Sequence, residues 1–141
     1  MTDSESMAVA LAEARGAALA GDVPVGAVIV RDGEIIARAA NRTVRDQDAT
    51  AHAEVLAIRE ACRMTGSWRL TGCTLFVTLE PCAMCAGAIV LARLDRVVFA
   101  AWDDKAGMSG SIGDVLRHPK LNHRPAVQGG LDADASYALL R

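Results

Sequence analysis

The 141-residue chain contains no apolar run able to cross a bilayer: the stretch from Val23 to Val30, broken by Pro24, falls far short of the roughly 20 residues a spanning helix needs. Its start, Met1-Thr2-Asp3-Ser4-Glu5-Ser6, lacks the basic flank and apolar core of a signal peptide, so a cytoplasmic location is expected. Nor is there an excess of either charge sign. With 15 Lys and Arg against 17 Asp and Glu, the net charge of -2 excludes a general attraction to polyanions or anionic membranes, and any such partner must be held by a local patch. Repeats, low-complexity segments and linkers are absent. A hydrophobic content of 52% suffices for a sizeable core, so a single domain over residues 1–141 is expected. Cysteine is sparse, at Cys62, Cys73, Cys82 and Cys85; without a secretory signal disulfides are not expected, and only the closely spaced pair reads as a metal site. Cys62 and Cys73 read as small buried hydrophobes.

What is present is an alternation of helical and strand periods. Met7, Val9, Leu11, Ala14, Ala18 and Leu19 are spaced for a helix from Ser6 to Ala20, closed by Gly21. Val23 to Val30, the turn Asp32-Gly33 and Ile35 to Ala40 read as a hairpin, with Asn41 at its end. After a polar loop, Val55, Ile58 and Cys62 mark a second helix, which Asp48 or Thr50 could cap. Thr74 to Leu79 is a strand, a helix begins at Pro81 and runs to Leu94, and Arg96 to Ala101 is a further strand, so a parallel pair follows. Beyond Trp102 lie a glycine-rich loop with a short helix around Ile112 to Leu116, a basic cluster from Arg117 to Arg124, an edge strand at Ala126 to Gln128 and a last helix from Asp132 to Leu140.

The chemistry gathers at Pro81-Cys82-Ala83-Met84-Cys85 and His52-Ala53-Glu54. Two thiols three residues apart and one imidazole are ligands of the kind zinc prefers, and three protein ligands leave a tetrahedral ion one open position. No second Cys-x-x-Cys exists to complete a structural four-ligand site. His52, Cys82 and Cys85 would neutralise Zn²⁺ formally, and a neutral cluster acidifies water less than three neutral histidines would. That weakness assigns Glu54 its role as catalytic proton shuttle, taking a proton from the attacking water and returning it to the substrate. His52 and Glu54, two apart, diverge by about 200° on a helix and can serve one site only at its start. His-x-Glu followed by Pro-Cys-x-x-Cys is the signature of zinc-dependent nucleobase deaminases. Asn41, a neutral amide, is either a strand-end cap or a reader of the base edge. Met84 reads as helix packing and Trp102 as core or interface. His118 and His123 lie in the basic cluster, which reads equally as a solvated loop or a nucleic-acid contact.

The whole chain resembles one family, the bacterial tRNA-specific adenosine deaminases of the cytidine-deaminase superfamily. The resemblance rests on Val23-Pro24-Val25-Gly26-Ala27-Val28, Asn41, Thr50-Ala51-His52-Ala53-Glu54, Thr78-Leu79-Glu80-Pro81-Cys82-Ala83-Met84-Cys85-Ala86-Gly87-Ala88, Arg96-Val97-Val98-Phe99 and His118-Pro119 with Asn122-His123-Arg124. It implies an α/β protein, a three-layer α/β/α fold around a mixed five-stranded sheet. It further implies a homodimer, one Zn²⁺ per subunit, and deamination of adenosine to inosine at the wobble position of a tRNA anticodon loop, where the base is already unpaired. By resemblance, base contacts fall on Asn41, Val23, Pro24 and Ala53, and RNA contacts on Asp103, Lys105, His118, Asn122, His123 and Arg124. Family members commonly carry a longer last helix with an aromatic pair and basic residues, whereas this chain reads Ala138-Leu139-Leu140-Arg141 at that point. Two rival readings keep the same metal site: a deaminase of a free base or nucleotide (guanine, cytosine or deoxycytidylate), and a zinc-stabilised binding module without catalysis.

Overall fold

The computed structural model describes all 141 residues. Its elements are α1 (Asp3–Leu19), β1 (Gly26–Arg31), β2 (Glu34–Ala40), α2 (Ala53–Thr65), β3 (Cys73–Leu79), α3 (Ala83–Ala92), β4 (Arg96–Ala101), β5 (Ala126–Gly129) and α4 (Ala133–Leu140). The strands form one mixed sheet in the order β2-β1-β3-β4-β5, with β1 antiparallel to both β2 and β3, and β4 parallel to β3 and β5.

Side-chain alternation divides the sheet into two faces. Ala27, Ile29, Leu75, Val77, Val97 and Phe99 point towards α2 and α3, meeting Ala57, Ala61, Ile89 and Val90 in the larger core cluster. Val28, Phe76, Val98 and Ala100 point the other way, towards Met7, Ala10 and Leu11 of α1 and Ala135 and Leu139 of α4. The result is the expected three-layer α/β/α arrangement. The alanine-rich stripe of α1 has a reason: a Cβ added to Gly26 would lie 2.1 Å from the Ala10 carbonyl oxygen and 2.6 Å from Ala14 N, so helix and strand meet backbone to backbone.

The hairpin turn is as expected from Asp-Gly, with φ of 51° at Asp32 and 77° at Gly33, the pair of positive values a type I′ turn demands. Three element starts and one whole element depart most from expectation. Helix α1 starts at Asp3 rather than Ser6 because Thr2 and Glu5 form a reciprocal capping box. Strand β1 starts at Gly26 rather than Val23, since Pro24 has no N–H to give a ladder. Helix α3 starts at Ala83, with Cys82 as its N-cap residue and Pro81 outside the helix rather than in its first turn. The short helix expected at Ile112 to Leu116 does not form. There the chain turns through a Ser109–Asp114 bridge, and the Ile112 and Val115 N–H groups donate to the Gly107 and Met108 carbonyls instead of to helical partners.

Candidate active site

Parallel pairing of β3 and β4 ends with Leu79 opposite Ala101, and the Glu80 N–H donates to the Ala101 carbonyl at 2.8 Å. The chain then passes through Pro81 into α3, which sets Cys82 at the N-cap and Cys85 in the first turn, at the carboxyl end of the strands where open α/β sheets bind ligands. From the other side His52 is the N-cap residue of α2, with φ -79° and ψ 148°, and Glu54 stands in that helix's first turn. Two helix N-termini therefore converge, and their partial positive charge favours thiolate and carboxylate.

His52 Nδ1 lies 3.6 Å from Cys82 Sγ and 3.5 Å from Cys85 Sγ, and the three ligand atoms all lie within 4.8 Å of one another. A tetrahedral ion with Zn–S of about 2.3 Å and Zn–N of about 2.0 Å separates sulfur from nitrogen by about 3.5 Å, so the donor set fits zinc. The electrostatics agree with a site made for a cation. Hydrogen bonds from the Cys85 thiol and the His52 ring hold Cys82 down at about 3, a thiolate. The same bond, together with burial, raises Cys85, and the bond to Cys82 raises His52. Glu54, 4% exposed, is pushed up by burial to about 7, so its carboxyl can both take and release a proton near neutrality.

The structure also shows how the walls around this cluster are held. The side chain of His52 makes no capping bond, and neither Asp48 nor Thr50 caps α2; Asp48 accepts from Thr50 instead. The cap comes from across the site: Asn41 Oδ1 accepts from the Ala53 N–H at 2.9 Å, while Asn41 Nδ2 donates to Thr43 Oγ1 at 3.2 Å. Asn41 thus caps the start of α2 rather than only ending its own strand. Its oxygen is committed to the helix and its amide N–H to Thr43. Val23 is exposed, Pro24 half-buried and Ala53 fully buried.

Two carboxylates were not singled out in the sequence. Asp22, 7% exposed, accepts from the N–H groups of Val23, Val44 and Arg45 at 2.9, 3.2 and 3.0 Å, tying the Val23-Pro24 wall to the loop after Asn41. Burial raises its carboxyl, but these donors outweigh that and hold it below the ordinary value. Glu80, 2% exposed, gathers the loop after β4 in the same manner, and burial is again outweighed, here by Ser111 and three backbone donors. The only sequence signal for either was an acidic residue beside an apolar run and a proline.

The remaining expected residues separate into two groups. Asp103 and Lys105 follow β4 at the carboxyl end, beside the cluster; Asp103 Oδ1 accepts from the N–H groups of Lys105 and Ala106, leaving the Lys105 side chain exposed. Asn122, His123 and Arg124 precede β5, whose Ala126 pairs with Arg96, so they sit at the opposite end of β4, about 17 Å away at the usual rise per residue. His123 Nε2 hydrogen-bonds the Leu94 carbonyl at 2.6 Å, and His118 Nδ1 accepts from Lys120 N. The structure does not bring these groups to the cluster of their own chain. Trp102 stands edge-on to Phe99 at 4.7 Å, a packing role as expected. A surface groove of about 760 Å³ between β2, α1 and α2, lined by Arg38, Arg42, Arg45, Arg59 and Arg63, includes none of the cluster residues.

Residues 1–101 match the family described as the cytidine and deoxycytidylate deaminase zinc-binding region. The chain belongs to that family. The cofactor of this deaminase is zinc, and all of His52, Glu54, Cys82 and Cys85 fall within the matched region. The deaminase is 52% identical over 132 residues to the tRNA-specific adenosine deaminase of Bacillus subtilis (strain 168), covering 93% of this chain and 82% of that one. Among solved structures it is similar to a tRNA:A34 deaminase studied for A-to-I editing at the wobble position, with a TM-score of 0.93, 46% identity and coverage of 96% and 99%. It is also similar to the guanine deaminase of Bacillus subtilis, with a TM-score of 0.72, 37% identity and coverage of 98% and 92%.

Proposed function

We propose that this deaminase converts adenosine to inosine hydrolytically at the wobble position of a tRNA anticodon, releasing ammonia. The observation that carries the substrate assignment is sequence identity, 46% to the wobble-position deaminase along nearly the full length of both chains against 27–37% to guanine deaminases, one of which superimposes with a TM-score of 0.87. His52, Cys82 and Cys85 are the residues that would hold zinc, which when bound supplies the Lewis acidity that makes water a competent nucleophile at neutral pH. Glu54 takes a proton from the attacking water and delivers it to the departing amine. Asn41 reads the base edge through its amide N–H, and the walls at Val23, Pro24 and Ala53 hold the ring.

Asp103 and Lys105 meet the RNA beside the pocket. The basic cluster at Asn122, His123 and Arg124 lies a strand's length from the base, so its contacts are with flanking phosphates rather than with the reacting nucleotide. A homodimer is supported by α3, whose outward residues Met84, Gly87 and Leu91 recur at helical spacing, with Leu91 69% exposed, and by Met64 and Trp68, also exposed. A cytoplasmic location follows from a tRNA substrate and accords with the lack of any helix long and apolar enough to cross a membrane.

The test is to incubate the zinc-loaded protein with an anticodon stem-loop carrying adenosine at the wobble position and, separately, with guanine, cytosine and deoxycytidylate. Inosine in the stem-loop is expected. Ammonia released only from the small molecules would move the assignment to the free-base reading, and no turnover of any of them would favour a binding module.

A further inference from the structure

Glu80 is a buried carboxylate with no cationic partner; every ion pair in the protein lies elsewhere. A carboxylate offers about four acceptor sites, and all four are filled from a single loop. Oε1 accepts from Asp103 N at 3.0 Å and from the Ser111 hydroxyl, and Oε2 from Ser109 N and Ser111 N, each at 3.0 Å. The loop also clasps the next residue: Met108 N donates to the Pro81 carbonyl at 2.9 Å and Ser109 Oγ to the same oxygen at 3.4 Å. Gly107 completes the fit, because a Cβ there would lie 2.3 Å from the Glu80 Cδ.

We propose that Glu80 is a positioning residue: its carboxylate fixes the Asp103 to Ser111 loop as a wall of the site, so that the segment leading into the helix that carries Cys82 and Cys85 also sets the substrate-facing rim. The acidic side chain is needed because a neutral isostere cannot accept from four donors. Glutamine in the same place has one oxygen, and its amide N–H groups would face two of the loop's donors, leaving them unpaired and buried. The consequence for substrate rests on the proposed RNA reading, since it takes Asp103 and Lys105 as the loop's contacts with the anticodon. The consequence for the loop itself does not.

The experiment compares zinc-loaded wild-type protein with Glu80→Gln, Gly107→Ala, Ser111→Ala and Ser111→Thr. Amide hydrogen exchange is followed without substrate, and kcat and KM are measured on the anticodon stem-loop. Exchange at residues 103–111 should rise by about tenfold or more in Glu80→Gln and Gly107→Ala, with strands β3 and β4 unchanged. Ser111→Ala should show a smaller rise, and Ser111→Thr, which keeps the hydroxyl, should restore the wild-type pattern. KM should rise by about tenfold, the worth of roughly one hydrogen bond, while kcat stays within about threefold. The proposal is overturned if loop exchange is unchanged in Glu80→Gln, if zinc is lost from that variant, or if kcat falls with KM unaltered. Should the wild type fail to turn over the stem-loop, the RNA reading fails, and the exchange contrast alone still decides whether Glu80 anchors the loop.

Discussion

Replacing Asn41 with alanine separates two functions of one side chain. The Ala53 N–H is the first of the orphan donors at the start of α2, Ala53 is fully buried, and its partner is the Asn41 oxygen at 2.9 Å, so removing that oxygen leaves the donor without a protein partner. Losing a cap costs about 1 kcal/mol, and leaving a buried donor unpaired costs about 1–3 kcal/mol; the two descriptions overlap, giving about 2 kcal/mol in all. The bond to Thr43 is half-buried and adds only a few tenths. For a chain of this length the melting temperature of the zinc-loaded protein should fall by about 6 °C, or the urea midpoint correspondingly. Asn41→Asp keeps the acceptor over a helix N-terminus and should recover at least half of the loss, yet it removes the amide N–H that the base reading requires, so deamination should stay low. A variant Asn41→Ala that melts within about 1 °C of wild type would refute the trans cap, whatever its activity.

Two further outcomes follow from particular contacts. Gly26→Ala drives a Cβ into the backbone of α1, so it should cost about 3 kcal/mol, the upper part of the overpacking range, seen as a fall of about 9 °C in melting temperature; a neutral result would contradict the close approach of α1 to β1. Asp22 titrates below its ordinary value of 3.8 in the folded chain, because three N–H donors and the nearby Arg45 guanidinium outweigh the cost of its burial. A depressed carboxyl contributes stability that is full above its unfolded value and lost as pH falls through the folded one. The stability advantage of wild type over Asp22→Asn should therefore hold above about pH 4 and shrink below it, read as urea midpoints across that range; a difference independent of pH would show that the donors do not stabilise the charge.

Much of this was legible because it is local. The run of β-branched, aromatic and aliphatic residues in β3, the Asp32-Gly33 turn and the spacing of Cys82 and Cys85 each depend on neighbours within one element, and each was read from the sequence in place. The pairing of His52 with the cysteines was legible through chemistry, since the donor types themselves imply convergence across some thirty residues. What escaped was backbone donors satisfied at a distance. Nothing near Ala53 announces that its cap is Asn41, and nothing near Glu80 announces a loop that begins at Asp103. The helix expected at Ile112 failed for a related reason, the Ile112 and Val115 N–H groups donating to the Gly107 and Met108 carbonyls, outside helical spacing. The basic residues near His123 read equally as a solvated loop or a nucleic-acid contact, and nothing local signalled that the direction of β5 carries them to the end of the sheet away from the cluster.

The most direct measurement is zinc content and deamination rate in Glu54→Gln beside wild type, on whichever substrate wild type turns over. Glutamine keeps the size of this buried side chain and withdraws only its ability to take a proton. The expected result is one zinc per chain in both proteins, with the rate in the variant lower by about 10²–10⁴-fold, the usual worth of a positioned general acid and base. A variant that keeps its zinc and deaminates within about tenfold of wild type would contradict the assignment of Glu54 as the proton shuttle at the His52, Cys82 and Cys85 site.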